Sequence, residues 1–421
     1  MDNKVIFLSR SDLRGGAAIV TYRLMLAMRD IGVDARMLVC EKLSDSPYVD
    51  YCVPKWRIQY SFLKERLEVF IRNGLDRSTL FKVDPATEGL PVWKHPWVRE
   101  ADSIYLGWVN QGMLSLQGVK KLSELMKPMV WVMHDMWNMT GICHHAGKCR
   151  GYMNECGDCP LLGKRCGAND MSHKTWCRKM KLYREADLRF VAVSSWLARK
   201  AEESSLLNGW DVTVIPNPFP ISDSEGYIRK SKGSGDPVRI IFGAARLDDP
   251  IKGLPVLKEA LSVIMEKYPE EGENMEMVTF GTFKNPENRD GFTLPHRHLG
   301  ALSGEEAIRE AYKECDIVVS ASDFESFGAT LVEGQAYGCI PVGFDHGGQR
   351  DIIDHMMTGY LADWDDEPSA RARMLAEGIV WAYRNVGDTA MIKRMRESVV
   401  EKFSASEVAH RILAFTFTDR K

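Results

Sequence analysis

The chain has 421 residues, of which 45% are hydrophobic, with 10 cysteines and a formal net charge of −3. This is a globular composition long enough for two domains, and its longest apolar runs, such as MVWVM, fall far short of the roughly 18 residues a membrane span needs. Residues 1–200 carry 31 Lys+Arg against 21 Asp+Glu and the remainder 24 against 37, so the first half is expected to meet an anionic partner or to attract the second half across a cleft.

In chain order, KVIFLS reads as a buried strand entering a loop and lacks the apolar stretch of a secretion signal. The cytoplasm is therefore the expected location. A Gly15-Gly16 turn then feeds a helix whose apolar residues Ile19, Leu24, Leu26 and Ala27 follow a period near 3.6, and DARMLV supplies the next strand. The segment 55–82 mixes aromatic residues with seven basic and three acidic ones. It reads either as a helix lying on an anionic membrane or as one whose apolar face is core. SIYLGWV and PMVWVMHD are further buried strands, and RFVAV and DVTVI close the first half.

Residues 218–237 are rich in Pro, Ser, Gly and charge and read as a linker. The alternation then restarts: VRIIFGAARL, a helix over LPVLKEALSVIMEKY, MEMVTFG, DIVVSAS, a helix over GATLVEGQAYG, and CIPVGF. Strands alternating with amphipathic helices imply a second parallel sheet. The end of the chain reads as two helices. The expected division is residues 1–217, with a Cys-rich insert at 140–178 and the C-terminal helix 405–421 packed on it, and residues 218–404. Two doubly wound domains are expected to bind ligand beyond the carboxyl ends of their strands.

Three groups of residues suggest chemistry. The turn DFESFG precedes a helix, so the amides of Ser326, Phe327 and Gly328 are placed to meet an anion. Glu325 and Glu333, eight apart, can each accept two hydrogen bonds from adjacent hydroxyls, as in a sugar or a ribose. Arg246 and Lys252 sit in the strand-to-helix loop of the second half, where two cations can meet a diphosphate and hold the charge of a leaving group. His134, followed by Asp135, ends a strand of the first half and can orient reacting groups.

The pattern R-x5-K-G followed by E-x7-E within SASDFESFGATLVEGQAYGCIPVGFDHGGQRDII resembles the retaining family-4 glycosyltransferases of GT-B fold. The likeness extends through HLGALSGEEAIREAYKECDIVVSAS and to the N-terminal GGAA. It implies an α/β fold of two Rossmann-like domains facing a central cleft. It also implies transfer of a sugar from a nucleotide diphosphate to a hydroxyl acceptor, with retention and no catalytic metal. By this resemblance Glu325 reads the donor sugar, Glu333 the ribose, and Arg246 and Lys252 the diphosphate. Ser326, Phe327 and Gly328 present their amides, and Gly15 and Gly16 approach the diphosphate. The loops around Gly281 and Leu302 are expected to meet the base. A front-face mechanism, in which the leaving phosphate takes the acceptor's proton, is favoured over attack by Glu325. Gly334 and Gln335 stand where the family has Ala-Met, and Asp351 where it has Glu.

Six cysteines lie between Cys143 and Cys177. Clustered cysteines in a cytosolic chain suggest a metal rather than disulfides, and Cys143, Cys149, Cys156 and Cys159 are the expected ligands of a structural zinc. His144, His145, Cys166 and Cys177 are spare candidates. The HDMW…TG…C…CxxCP pattern resembles a subset of bacterial polysaccharide glycosyltransferases, so the insert is expected to shape the acceptor side. The acceptor is then a lipid-linked or growing surface polysaccharide, with segment 55–82 on the inner membrane face. Two other readings stay open: a nucleotide-sugar epimerase of the same fold, and a zinc-stapled nucleic-acid-binding protein. The second leaves the glutamate pair unexplained, and no nucleic acid is expected.

Overall fold

The computed structural model describes residues 3–220 and 235–418 and divides into two compact units, residues 1–218 with 405–421 and residues 219–404. Most of the sequence-predicted linker, residues 221–234, lies outside the described residues.

The first unit is built on seven strands: β1 (Lys4–Ser11), β2 (Asp34–Glu41), β3 (Val49–Tyr51), β4 (Ser103–Leu106), β5 (Met129–Met133), β6 (Leu188–Ala192) and β7 (Val212–Val214). They form one parallel sheet in the order β3-β2-β1-β4-β5-β6-β7. Val5, Ile6, Phe7 and Leu8 of β1 are all buried, which requires cover on both faces of the sheet. Helix α1 (Gly16–Asp30) connects β1 to β2; helix α2 (Lys55–Arg72) follows β3; helix α3 (Met171–Glu185) precedes β6. The terminal helix Ala405–Phe417 packs on α1 and buries Val408, Ala409 and Ile412. It is tied to the sheet by a hydrogen bond between the hydroxyls of Tyr105 and Thr416 and by Arg411 donating to the Val214 carbonyl.

The second unit repeats the plan with six strands: β8 (Val238–Arg246), β9 (Met275–Thr282), β10 (His296–His298), β11 (Ile317–Val319), β12 (Ile340–Phe344) and β13 (Tyr360–Ala362). Their order, β10-β9-β8-β11-β12-β13, is again that of a doubly wound parallel sheet. Helix α4 (Leu254–Lys267) leaves β8, and helix α5 (Ala329–Ala336) leaves β11. Strand order reverses between β8 and β11, so the loops after these two strands flank the crevice where such sheets bind ligands.

The edge strands β3, β10 and β13 have no counterpart in the sequence reading. Each is three residues long, too short for alternation to register. Gly334 also has a packing reason. A Cβ there would stand 2.4 Å from Val318 Cγ1, so the alanine usual in the family does not fit between α5 and β11.

Candidate active site

In the second unit, Arg246 is the last residue of β8, and a register shift between Gly243 and Arg246 breaks the ladder with β9 just before it. Gly281 makes that irregularity possible: at φ 129 its missing Cβ would lie 1.8 Å from the Ala244 carbonyl oxygen. The Gly281 amide donates to the Gly300 carbonyl at 2.7 Å, which brings the loop carrying Leu302 beside the end of β9. Gly281 is thus joined by its backbone to Gly300, two residues before Leu302.

Lys252 closes a short helical turn, Pro250–Lys252, and Gly253 follows in the left-handed region with φ 70. A side chain at Gly253 would drive its Cβ to 1.8 Å from the Ala321 carbonyl oxygen, so the loop after β8 lies directly on the chain leaving β11. The Asp323 amide donates to the Ile251 carbonyl at 2.9 Å. These contacts place Lys252 Nζ 2.9 Å from Glu325 Oε2. The neighbouring Glu325 carboxylate raises the Lys252 ammonium above the usual lysine range despite its burial.

The turn 325–328 is braced from behind by the glycine pair of DHGGQRD. Gly348 donates its amide to the Glu325 carbonyl at 2.8 Å. A Cβ on Gly347 would meet that same oxygen at 2.4 Å, and one on Gly348 would meet the Ser326 carbonyl oxygen at 2.5 Å. Gly328, at φ 108, ends the turn and precedes α5, whose first turn has no side-chain cap. Uncapped amides at a helix start suit an anion. Phe327 is a buried packing residue, edge-on to Phe403 at 5.6 Å, so only its backbone is available to a ligand. Glu333 lies on α5 and accepts a long 3.4 Å contact from the buried Tyr312 hydroxyl.

Sequence reasoning missed a second ion pair. Arg246 Nη2 stands 2.6 Å from Asp249 Oδ2, and its Nε 3.8 Å from Asp248 Oδ1. The signal was the pair of acids two and three residues after the arginine. Each cation expected to meet a diphosphate therefore already has a carboxylate partner.

In the first unit, Gly15 (φ 90) and Gly16 open α1, whose first turn has no side-chain cap and no acid. A Cβ on either would meet nothing within 4 Å, so packing does not dictate glycine there. His134, just past β5, has Nε2 3.4 Å from the Thr21 hydroxyl. Burial pushes its pKa down to about 4 against the pull of Asp135, so it is neutral at ordinary pH. Asp135 is a hub that the sequence reading gave no role. It accepts from the Trp137 amide at 2.8 Å and the Trp108 indole at 3.0 Å, and lies 2.8 Å from His144 Nδ1. Burial pushes its carboxyl up, but the charge and hydrogen bond of His144 outweigh this and hold it down at about 2.

The cysteines are only partly gathered. Burial pushes the thiols of Cys143 and Cys159 up, to about 12 and about 11, and raises Cys156. The Gly141 amide donates to Cys156 Sγ at 3.1 Å and the Gly151 amide to Cys149 Sγ at 3.4 Å. Among the described residues no group of three or more His, Cys, Asp or Glu is arranged to hold a metal ion. Lys179 of α3 is buried over the Trp137 ring, 3.3 Å from its centre, and donates to the Thr140 carbonyl at 3.0 Å. It fills part of the interior beneath this loop.

Residues 225–396 match the family described as Glycosyl transferases group 1. Phosphatidyl-myo-inositol mannosyltransferase of Mycobacterium tuberculosis is 27% identical over 225 residues, 53% of this chain and 57% of that protein. Glycogen synthase of Xanthomonas campestris is 25% identical over 224 residues, 50% of this chain and 46% of that one. The chain thus matches about half the length of these curated relatives. Among solved structures, Anabaena HepE in complex with UDP-glucose superposes with a TM-score of 0.58 at 16% identity, covering 98% of both chains. A glycosyltransferase from Rickettsia africae superposes with a TM-score of 0.63 at 15% identity, covering 99% of this chain and 98% of that one. Residues 225–396 therefore match the group 1 glycosyltransferases, in a chain whose fold is GT-B.

Proposed function

We propose that the chain is a retaining glycosyltransferase that moves a sugar from a nucleotide diphosphate to a hydroxyl acceptor. The observation that carries this reading is the pairing of Lys252 with Glu325 at the reversal point of the second sheet, on a turn that presents uncapped amides. Glu325 takes the sugar hydroxyls, Glu333 the ribose, and Arg246 and Lys252 the diphosphate with the amides of 326–328. Gly281 and Leu302 face the base, and Gly15, Gly16 and neutral His134 serve the reacting groups. The leaving phosphate takes the acceptor's proton, so no protein base is required. UDP and UDP-glucose in structural neighbours support a nucleotide-sugar donor. The phosphatidylinositol mannosyltransferase relative supports a lipid-linked acceptor. The test is hydrolysis across a panel of nucleotide sugars, with the anomer of the product read by NMR. The reading requires wild-type hydrolysis with retention, loss in Glu325→Ala and weakened nucleotide binding in Glu333→Ala. An inverted product, or an epimerised nucleotide sugar without release, overturns it.

A structural zinc on Cys143, Cys149, Cys156 and Cys159 is a separate proposal. Its support is the thiolate donor chemistry and the two amide-to-sulfur hydrogen bonds, which resemble the outer contacts of ligating sulfurs. The ligand geometry itself does not support it, since no three of these groups are arranged around a common point. Elemental analysis of the protein purified without chelator decides it; absence of metal removes the proposal.

A further inference from the structure

Helix α2 leaves an apolar stripe exposed. Its buried face carries Ser61, Glu65 and Arg66 beside Ile58 and Val69, while on its outward side Trp56 is 68% exposed, Leu63 63% and Ile71 55%, with Tyr60 and Leu67 equally bare between them. The spacing of 4, 3, 4 and 4 residues places all five in one stripe from Trp56 to Ile71, about 24 Å of helix. Leu75 and Phe81 continue the exposed surface beyond it. The helix cannot roll the stripe inward. Arg66 is held at 3.0 Å by Glu65 and at 3.5 Å by Asp84, and it donates to the Leu80 and Val83 carbonyls. Rolling would break this buried network and take from Arg66 the carboxyl and carbonyl groups that hold it.

The exposed cations of the same segment are Lys55, Arg57, Lys64, Arg72, Arg77 and Lys82, against Asp76 as its exposed acid. Lys64 and Arg72 are paired with Glu88 and Glu68. At the start of the helix a depression is lined by Lys55, Arg57, Lys94 and His95. An apolar stripe bordered by cations, with Trp and Tyr at one end, suits the boundary between headgroups and acyl chains. It does not suit a second copy, because a two-fold interface on this stripe would bring one set of cations against the other.

We propose that α2 docks this chain on the surface of an anionic phospholipid bilayer, with the stripe among the acyl chains and Lys55, Arg57 and Lys94 at the phosphates. The proposal deepens the lipid-linked acceptor reading and gives that acceptor's location, but docking itself does not depend on catalysis. The test is flotation of the full chain with vesicles of phosphatidylcholine alone, or of phosphatidylcholine and phosphatidylglycerol in equal parts. Wild-type protein is expected to float with the second and not the first. Leu63→Glu combined with Leu67→Glu is expected to lower partitioning by about 100-fold or more, and Lys55→Glu with Arg57→Glu by about 10-fold, the latter difference vanishing at high salt. These positions are exposed, so the variants should keep the wild-type melting temperature and donor hydrolysis in vesicle-free buffer. Loss of hydrolysis in the wild type with vesicle binding intact would sink the transferase reading and leave docking standing. Equal flotation of wild type and the Leu63→Glu, Leu67→Glu variant overturns the proposal. So does a wild-type dimer that this variant converts to monomer, which would make a second copy the occupant.

Discussion

Gly348→Ala tests whether the glycine pair sets the position of Glu325. The added methyl would begin 2.5 Å from the Ser326 carbonyl oxygen and 2.6 Å from Phe327 Cα, both of them backbone. Restoring an ordinary contact requires the turn to retreat by about 0.9 Å, a strain of the kind that overpacking costs at about 1–3 kcal/mol. Glu325 rides on that turn, and its 2.9 Å contact with Lys252 would open beyond hydrogen-bonding distance. A misplacement of about 1 Å in such a group costs on the order of 100-fold in rate. The assay is kcat/KM for donor hydrolysis beside the urea midpoint, with Gly167→Ala as control, because a Cβ at Gly167 meets nothing within 4 Å. If Gly348→Ala keeps both wild-type stability and wild-type kcat/KM, the bracing argument is wrong. If activity falls only as far as the folded fraction falls, the turn is not what positions Glu325.

Three further outcomes are expected. Lys252→Met should lower donor turnover by about 100-fold or more by removing a cation from the leaving group, with nucleotide binding less affected. Because the Lys252 pKa is raised above its unfolded value, its contribution to stability is complete below the ordinary lysine range and is lost only as pH rises through the higher folded value; urea midpoints between pH 6 and about pH 9 should not reveal it. Asp135→Asn should destabilise the first unit by about 2 kcal/mol at neutral pH. Since the Asp135 pKa is depressed to about 2, that difference should be full above the unfolded value and shrink as pH falls towards 2, which paired denaturation curves can measure. Asp249→Asn removes the charge 2.6 Å from Arg246 and should tighten nucleotide diphosphate binding several-fold, as read by calorimetry; unchanged affinity would show that Arg246 does not meet the diphosphate.

What the sequence revealed and what it hid divide along the distance over which each contact is made. The βα alternation, the two sheets and the E-x7-E turn are local patterns, and a single pass along the chain shows them. Lys252 and Glu325 are 73 residues apart, yet their meeting was inferable because each stands at the carboxyl end of a strand and the two strands are neighbours. The role of Gly347 and Gly348 was not, because a glycine needed for close approach looks the same in sequence as one needed for a turn. The Asp135 hub was hidden because, beside the local amide of Trp137, it draws in Trp108 and His144 across irregular chain whose path periodicity does not show. Helix α2 was undecidable from its pattern. Its apolar stripe was plain, but periodicity does not say which side faces the core, and only the buried Glu65, Arg66 and Asp84 settle that.

If the proposed donor site is the right one, its ion pairs change how it must work. Arg246 has Asp248 and Asp249 beside it and Lys252 has Glu325, so a diphosphate does not arrive at bare cations. In the proposed site, part of its attraction must come from the amides at the start of α5, whose first turn has no side-chain cap and no acid. Part must come from a redistribution at Lys252. If a sugar hydroxyl donates to Glu325, that carboxylate holds the lysine less strongly, and the ammonium becomes available to the phosphate beside it. Sugar and diphosphate would then favour each other's binding through one shared ion pair. A nucleotide without its sugar finds the lysine still engaged. The same half-buried pair helps keep the turn ordered, since two opposite charges there cost less than one alone. Under the proposed transferase reading, Glu325 would then do more than recognise hydroxyls: it would hold Lys252 in place until a donor arrives.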